Sequence, residues 1–223
     1  MSGKPNLFRI YTLIIAALAV LFISCSQNLP EVTTTDYSVI FDYSDDENPP
    51  QARLAVFATS DSDVRRYQKI MITSLETGYC WESDLLVKLD SGDGQYAGCT
   101  NLVAPEDENL PSGLYEIIYF NADEKECKLQ LEIKYDIEFY DVLLPALPEI
   151  MAEKHGIDKI AVYDKDHILI YYGERTEELK TTRDIWNQYR EAKTYQVIWC
   201  IPDGSLICVT PEKPVSPEED NAE

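Results

Sequence analysis

Between residues 37 and 133 the chain is cut into short runs of β-forming residues, each closed by turn residues, and this punctuation restricts the fold more than any other feature. The runs cover residues 37–43, 53–59, 66–74, 79–81, 85–89, 95–103, 116–120 and 127–133. Between them lie an acidic Pro-Pro break at 45–50, Ser60-Asp61-Ser62-Asp63, Gly92-Asp93-Gly94 and Asn121-Ala122-Asp123-Glu124. Strand-length runs bounded by Gly, Pro, Asn, Asp and Ser read as an antiparallel β-sandwich rather than as helices. The chain is 45% hydrophobic and 11% aromatic with only 9 Gly, which supports a packed core over a low-complexity chain.

After about residue 139 the pattern changes to α+β. Residues 148–155 predict a short helix, with Pro148 in its first turn and Gly156 as its stop. Residues 159–163 and 167–172 flank Asp164-Lys165-Asp166 as a β-hairpin. Thr176 is expected to cap a second helix ending near Ala192, since Leu179, Ile185, Trp186 and Tyr189 recur near helical spacing. A second hairpin joins residues 195–201 and 205–209 through Pro202-Asp203-Gly204, which suits a type I turn closing on a left-handed glycine. A four-stranded antiparallel sheet backed by two helices follows, with Trp186 and Trp199 buried together. The fold class is therefore mainly β with an α+β part: a sandwich over 37–138, an α+β region over 139–209, and a disordered acidic tail over 210–223.

The first 24 residues stand apart. Lys4 and Arg9 precede an apolar run over residues 10–23, and Ser24-Cys25 follows. As a helix that run is about 21 Å long, short of the roughly 30 Å hydrocarbon core, so it fits a cleaved secretory signal better than a permanent span. The net charge of the whole chain is −21, and both signal cations are lost on cleavage. Such a charge repels phosphate backbones, so nucleic acid is not an expected partner.

The residues Phe22-Ile23-Ser24-Cys25 resemble the lipobox of bacterial lipoproteins, in the relaxed form of spirochaete-type members. Phe22 stands where Leu is usual and Ile23 where a smaller residue is usual. The resemblance implies cleavage after Ser24, lipidation of Cys25, a polar tether over 25–36 and a cell envelope location. Its partner would be a membrane through the N-terminal lipid. Ser26 rather than Asp follows the cysteine, and inner and outer membrane both stay open. Separately, residues 110–120, with Pro111, Gly113 and Tyr115, resemble the strand entry of bacterial Ig-like and fibronectin-III-like modules.

Five further cysteines, Cys80, Cys99, Cys127, Cys200 and Cys208, enter on export a compartment where disulfides can form if the organism runs an oxidation pathway. Buried small hydrophobes are favoured over structural disulfides, because most of them sit among apolar neighbours. No CxxC or Cys/His spacing, nucleophile elbow or Gly-rich phosphate loop is present, so no catalytic residue, metal site or cofactor is assigned. The histidines His155 and His167 read as a helix end and a strand edge. Asp42, Asp45, Asp46 and Glu47, and Asp90 with Asp93, are oxygen-rich but lack the order of a calcium loop. Asp164 and Asp166 belong to a turn. The expected function is that of a structural or interaction lipoprotein with a possible protein partner. An adhesin or ligand-binding role is the alternative among binders, and a hydrolase with a site assembled from distant residues is the alternative enzyme.

Overall fold

The computed structural model describes residues 32–60, 64–91, 94–105 and 108–217. Two sheets face each other in the first part of the chain. One carries β1 (Val32–Asp42), β2 (Gln51–Ser60), β6 (Gly94–Val103) and β5 (Val87–Ser91) in that order. The other carries β4 (Cys80–Ser83), β3 (Tyr67–Ser74), β7 (Gly113–Asn121) and β8 (Glu126–Ile133). This is the strand order of an immunoglobulin-type sandwich, ABED against CFG, with β4 added beside the C strand.

Alternation along each strand builds the core. In β3, Tyr67, Ile70 and Ile72 point inward, and in β7 Tyr115, Ile117 and Tyr119 do the same. They meet Val39 and Phe41 of β1, Leu54, Val56 and Ala58 of β2, and Ala97 and Cys99 of β6. Two buried tyrosines satisfy their hydroxyls by reaching backbone, whereas the buried Tyr43 hydroxyl has no partner among the described residues. Tyr119 donates across the sandwich to the Ala97 carbonyl at 3.0 Å, and Tyr115 donates back to the Pro111 carbonyl at 2.5 Å. The second bond has the form of a tyrosine corner, linking Pro111 and Tyr115 at the entry to β7, where Gly113 takes a φ of +113°.

One close approach requires a glycine. Gly98 of β6 lies opposite Phe57 of β2, and a methyl there would sit 2.0 Å from the Val56 carbonyl oxygen and 2.8 Å from the Phe57 ring. Nearby, one extra residue of β6 bulges between the Leu54–Leu102 and Val56–Cys99 pairs. Arg53 spans this irregularity, bonding the Thr100 carbonyl and pairing with Asp42.

The C-terminal region adds α1 (Leu147–Glu153), β9 (Ile157–Tyr163), β10 (Leu169–Glu174), α2 (Thr182–Gln188), β11 (Thr194–Cys200), β12 (Leu206–Val209) and β13 (Lys213–Pro214). Strands β10-β9-β11-β12 form the expected four-stranded antiparallel sheet, but the sheet does not stop there. Strand β12 pairs in parallel with β1, Val39 opposite Leu206 and Asp42 opposite Val209, so one sheet runs through both regions without a break at residue 139. Ser38 reinforces the join by donating to the Gly204 carbonyl at 2.7 Å. At that turn Gly204 has φ +75° and Asp203 accepts from the Ser205 amide, as the Pro-Asp-Gly reading required. No helix among the described residues is long and apolar enough to cross a membrane.

Three boundaries and one packing contact differ from the sequence reading. Strand β1 begins at Val32, so residues 32–36 of the expected tether are paired with β2. The second helix is split: a 3-10 turn, Glu177–Leu179, precedes α2, which Thr181 caps. Thr181 Oγ1 accepts from the Asp184 amide and the Asp184 carboxylate accepts from the Thr181 amide, whereas Thr176 makes no side-chain cap. The reciprocal capping box outweighs the longer apolar period. Trp186 and Trp199 do not meet, because Trp199 packs against the sandwich core while the Trp186 ring lies under the Arg190 guanidinium at 3.5 Å. The start of the expected tail is ordered: Lys213 and Pro214 pair with β11, and Val215 packs on the second core. Val215 is an apolar residue within reach of a strand edge, and burying it anchors the segment.

Two expected outcomes follow. Burial pushes Tyr115 and Cys208 up to about 12, and raises Tyr43, Tyr119 and Tyr135 as well. Folding therefore retains protons that the unfolded chain releases above about 8.5 for thiols and about 10 for phenols. This contribution is complete below those values and is lost as pH rises towards the folded ones. Denaturant midpoints should fall steadily above about pH 9, with part of the tyrosinate absorbance appearing only on unfolding; a flat profile to pH 12 would contradict it. Replacing Gly98 by Ala should lower stability by about 1–3 kcal/mol, read from the same denaturation curves, because the methyl has no room.

Candidate functional site

Ser24 and Cys25, the expected cleavage and lipidation residues, lie outside the described residues, as do the signal over 1–24, residues 25–31 of the tether and Asp93. The two histidines are held apart by local backbone needs. His155 follows α1 with φ +56°, its amide bonding the Ala152 carbonyl while Gly156 bonds Met151. This is a Schellman stop in which His155, not Gly156, takes the left-handed position. A methyl at Gly156 would meet the flexible end of the Met151 side chain at 2.7 Å and the Met151 carbonyl oxygen at 3.0 Å, so the site favours glycine. His167 has φ +60° in the β9–β10 turn, stacks on Tyr163 with ring centroids 4.7 Å apart and lies 3.4 Å from Glu212.

Most of the acidic candidates already serve the backbone or an ion pair. Asp45 accepts from the Glu47 and Asn48 amides and from the Asn48 side chain, which lowers it to about 2. Asp42 pairs with Arg53 at 2.5 Å, and Asp90 accepts from Gln95. Asp164 Oδ1 accepts from the Asp166 and Ile168 amides, closing the hairpin. Among the described residues no group of three or more His, Cys, Asp or Glu side chains is placed to hold a metal ion. Tyr171 and Tyr172 divide as strand neighbours must: Tyr171 packs on the second core, and Tyr172 is exposed with Lys159 over its ring at 5.5 Å.

A hollow of about 310 Å³ gathers side chains from elements far apart in sequence. Tyr195, Val197 and Trp199, alternate residues on one face of β11, form its floor. Leu144, Pro145 and Pro148, entering α1, form one side. Arg175, just beyond β10, and Lys213 of β13 complete it, and Asp46 is the one acid in the lining. The Arg175 amide donates to the Asp158 carbonyl and its Nη2 donates to the Lys180 carbonyl at 2.7 Å, which hold the side chain in place. Its Nε is closed off from solvent and has no acceptor. Neither Arg175 nor Lys213 has an ion-pair partner among the described residues.

The hollow is roomy enough for a small ligand, and its apolar floor with a few convergent polar groups is the usual character of such sites. Sequence reasoning missed it. Arg175 falls between the expected strand over 167–172 and the helix expected from Thr176, Trp199 in a strand expected to bury it with Trp186, and Lys213 in the expected tail over 210–223. The one available signal was an arginine at the end of a strand in a strongly acidic chain, and that signal is not specific.

All five cysteines beyond Cys25 are unpaired. Cys80 is exposed, Cys127 and Cys200 are half-buried, and Cys99 and Cys208 are buried with raised thiol pKa values, burial being the main cause in both. A maleimide added to the native protein should label Cys80 first, and should reach Cys99 and Cys208 only after denaturation; peptide mass mapping reads the order, and a disulfide between any two would refute it. Comparison with models of known families, with characterised proteins and with solved structures found no match.

Proposed function

We propose that the chain is an exported, lipid-anchored envelope protein that acts by holding or recognising a partner rather than by catalysis. The observation that carries this reading is the N-terminal series: Lys4 and Arg9, an apolar run over 10–23, and Ser24-Cys25. Strand β1 begins at Val32, so residues 26–31 alone would separate a lipidated Cys25 from the sandwich. Six residues reach at most about 20 Å when extended, which would present the folded part close to the membrane surface. The net charge of −21 would then keep it from lying flat on anionic headgroups, favouring an upright presentation. A role in binding is supported by the immunoglobulin-type frame, which offers two sheet faces and end loops on a rigid scaffold, although fold by itself does not assign function.

Metabolic labelling with an alkyne fatty acid tests the anchor. The native protein should take up label and fractionate with membranes. Cys25→Ala should lose the label and release the folded chain. Label retained in Cys25→Ala, or absent from both proteins, would overturn the lipid anchor.

A further inference from the structure

The hollow beneath Arg175 has a charge that its surroundings do not share. The chain holds 40 acidic and 19 basic residues, yet the lining contains two cations, Arg175 and Lys213, against one acid, Asp46. Arg175 is half-buried, and a guanidinium donor removed from water without a partner is costly unless something offsets it. Arg175 meets that description: one donor goes to the Lys180 carbonyl, while the buried Nε has no acceptor. Asp158 is adjacent on β9, but it meets Arg175 through its backbone carbonyl. The rest of the lining is apolar or committed. Thr210 accepts from the Val197 amide through its hydroxyl, tying the end of β12 to β11, and Trp199, Val197, Leu144 and Pro148 present carbon surface.

We propose that this hollow binds a small organic carboxylate with a flat apolar body, the carboxylate paired with Arg175 and Lys213 and the body laid over Trp199 and Val197. A carboxylate matches the fork of a guanidinium, and Lys213 adds a second charge that needs no fixed geometry. The aromatic floor and the proline side favour a ring over a flexible chain, and a volume of about 310 Å³ holds one or two fused rings and no large cofactor. This site is independent of the anchor: it uses no residue before Asp46, and its failure would leave lipidation of Cys25 untouched.

Calorimetric titration of the purified full chain with naphthalene carboxylate, and with the neutral naphthalene carboxamide of the same shape, tests the assignment. The carboxylate should give saturable heat and the amide little. Arg175→Gln should weaken binding by about tenfold or more, Arg175→Lys by less, and Lys213→Gln by a smaller factor that shrinks further in high salt. Lys213 is exposed on a two-residue strand, so Lys213→Gln keeps the test decisive even where Arg175→Gln fails to fold, as judged by circular dichroism. No saturable heat at millimolar carboxylate, equal binding of acid and amide, or unchanged affinity in folded Arg175 and Lys213 variants would each overturn the proposal.

Discussion

The parallel pairing of β1 with β12 is the constraint on which the rest of the architecture depends. In a free-standing sandwich of this strand order, β1 is an edge, with a row of backbone groups open to any passing strand. Here the end of that edge is closed by the four-residue β12, from Val39–Leu206 to Asp42–Val209. Parallel neighbours cannot be joined by a tight turn, so the whole of the intervening chain serves as the crossover. Phe41 sits at the centre of the join. It lies opposite Cys208 in register, and its ring packs against Tyr135, Phe139 and Tyr140 with centroids 6.2, 5.5 and 5.3 Å away. The segment leading out of the sandwich is thus bound to the same strand that receives the returning chain.

This join also accounts for the hollow. A single sheet face runs from β1 through β12 and β11 to β9, but two separate layers cover it. The opposing sheet and α1 close over Phe41, Cys208 and Trp199, while α2 and Tyr171 close over Ile160, Val162, Tyr195 and Val197. The β11 floor residues therefore belong to both cores, Trp199 to the first and Tyr195 and Val197 to the second. Where the coverings part, the face is left partly open, and that seam is bounded by Pro145, Pro148 and Arg175. A cavity at such a seam follows from topology and does not require loosened packing elsewhere.

The strands of the sandwich were legible because half-buried strands leave a period-two record, and Ile70, Ile72 and Ser74 keep it in β3 after a register shift beyond Tyr67. The hairpin at Pro202-Asp203-Gly204 was legible because its turn chemistry is local. The split of the second helix left a trace of another kind: three residues after Thr176 stands Leu179, whereas three after Thr181 stands Asp184, the spacing of a capping box. The β1–β12 join left no trace of this kind. Strand β12 is apolar on both faces, with Ile207 and Val209 alternating with Leu206 and Cys208, so its pattern fits the end of a hairpin as well as the middle of a sheet. The hollow was illegible for the same reason. Arg175, Trp199 and Lys213 become neighbours only after β10, β11 and β13 are ordered around that sheet.

Charge on the chain and charge in the hollow act at different ranges, and the difference bears on how an anion would reach it. A net charge of −21 sets up a repulsive field over the whole surface, which slows the approach of any carboxylate. Arg175 and Lys213 attract only at short range. At physiological salt the Debye length is about 8 Å, so ions screen the long-range repulsion strongly and the contact with a partly enclosed guanidinium much less. Moderate salt thus raises the rate of encounter while leaving the Arg175 contact largely intact, and the exposed Lys213 contact weakens first. Selectivity then rests on the fork of one arginine above an aromatic floor, and the acidic surface discourages anions that cannot use both.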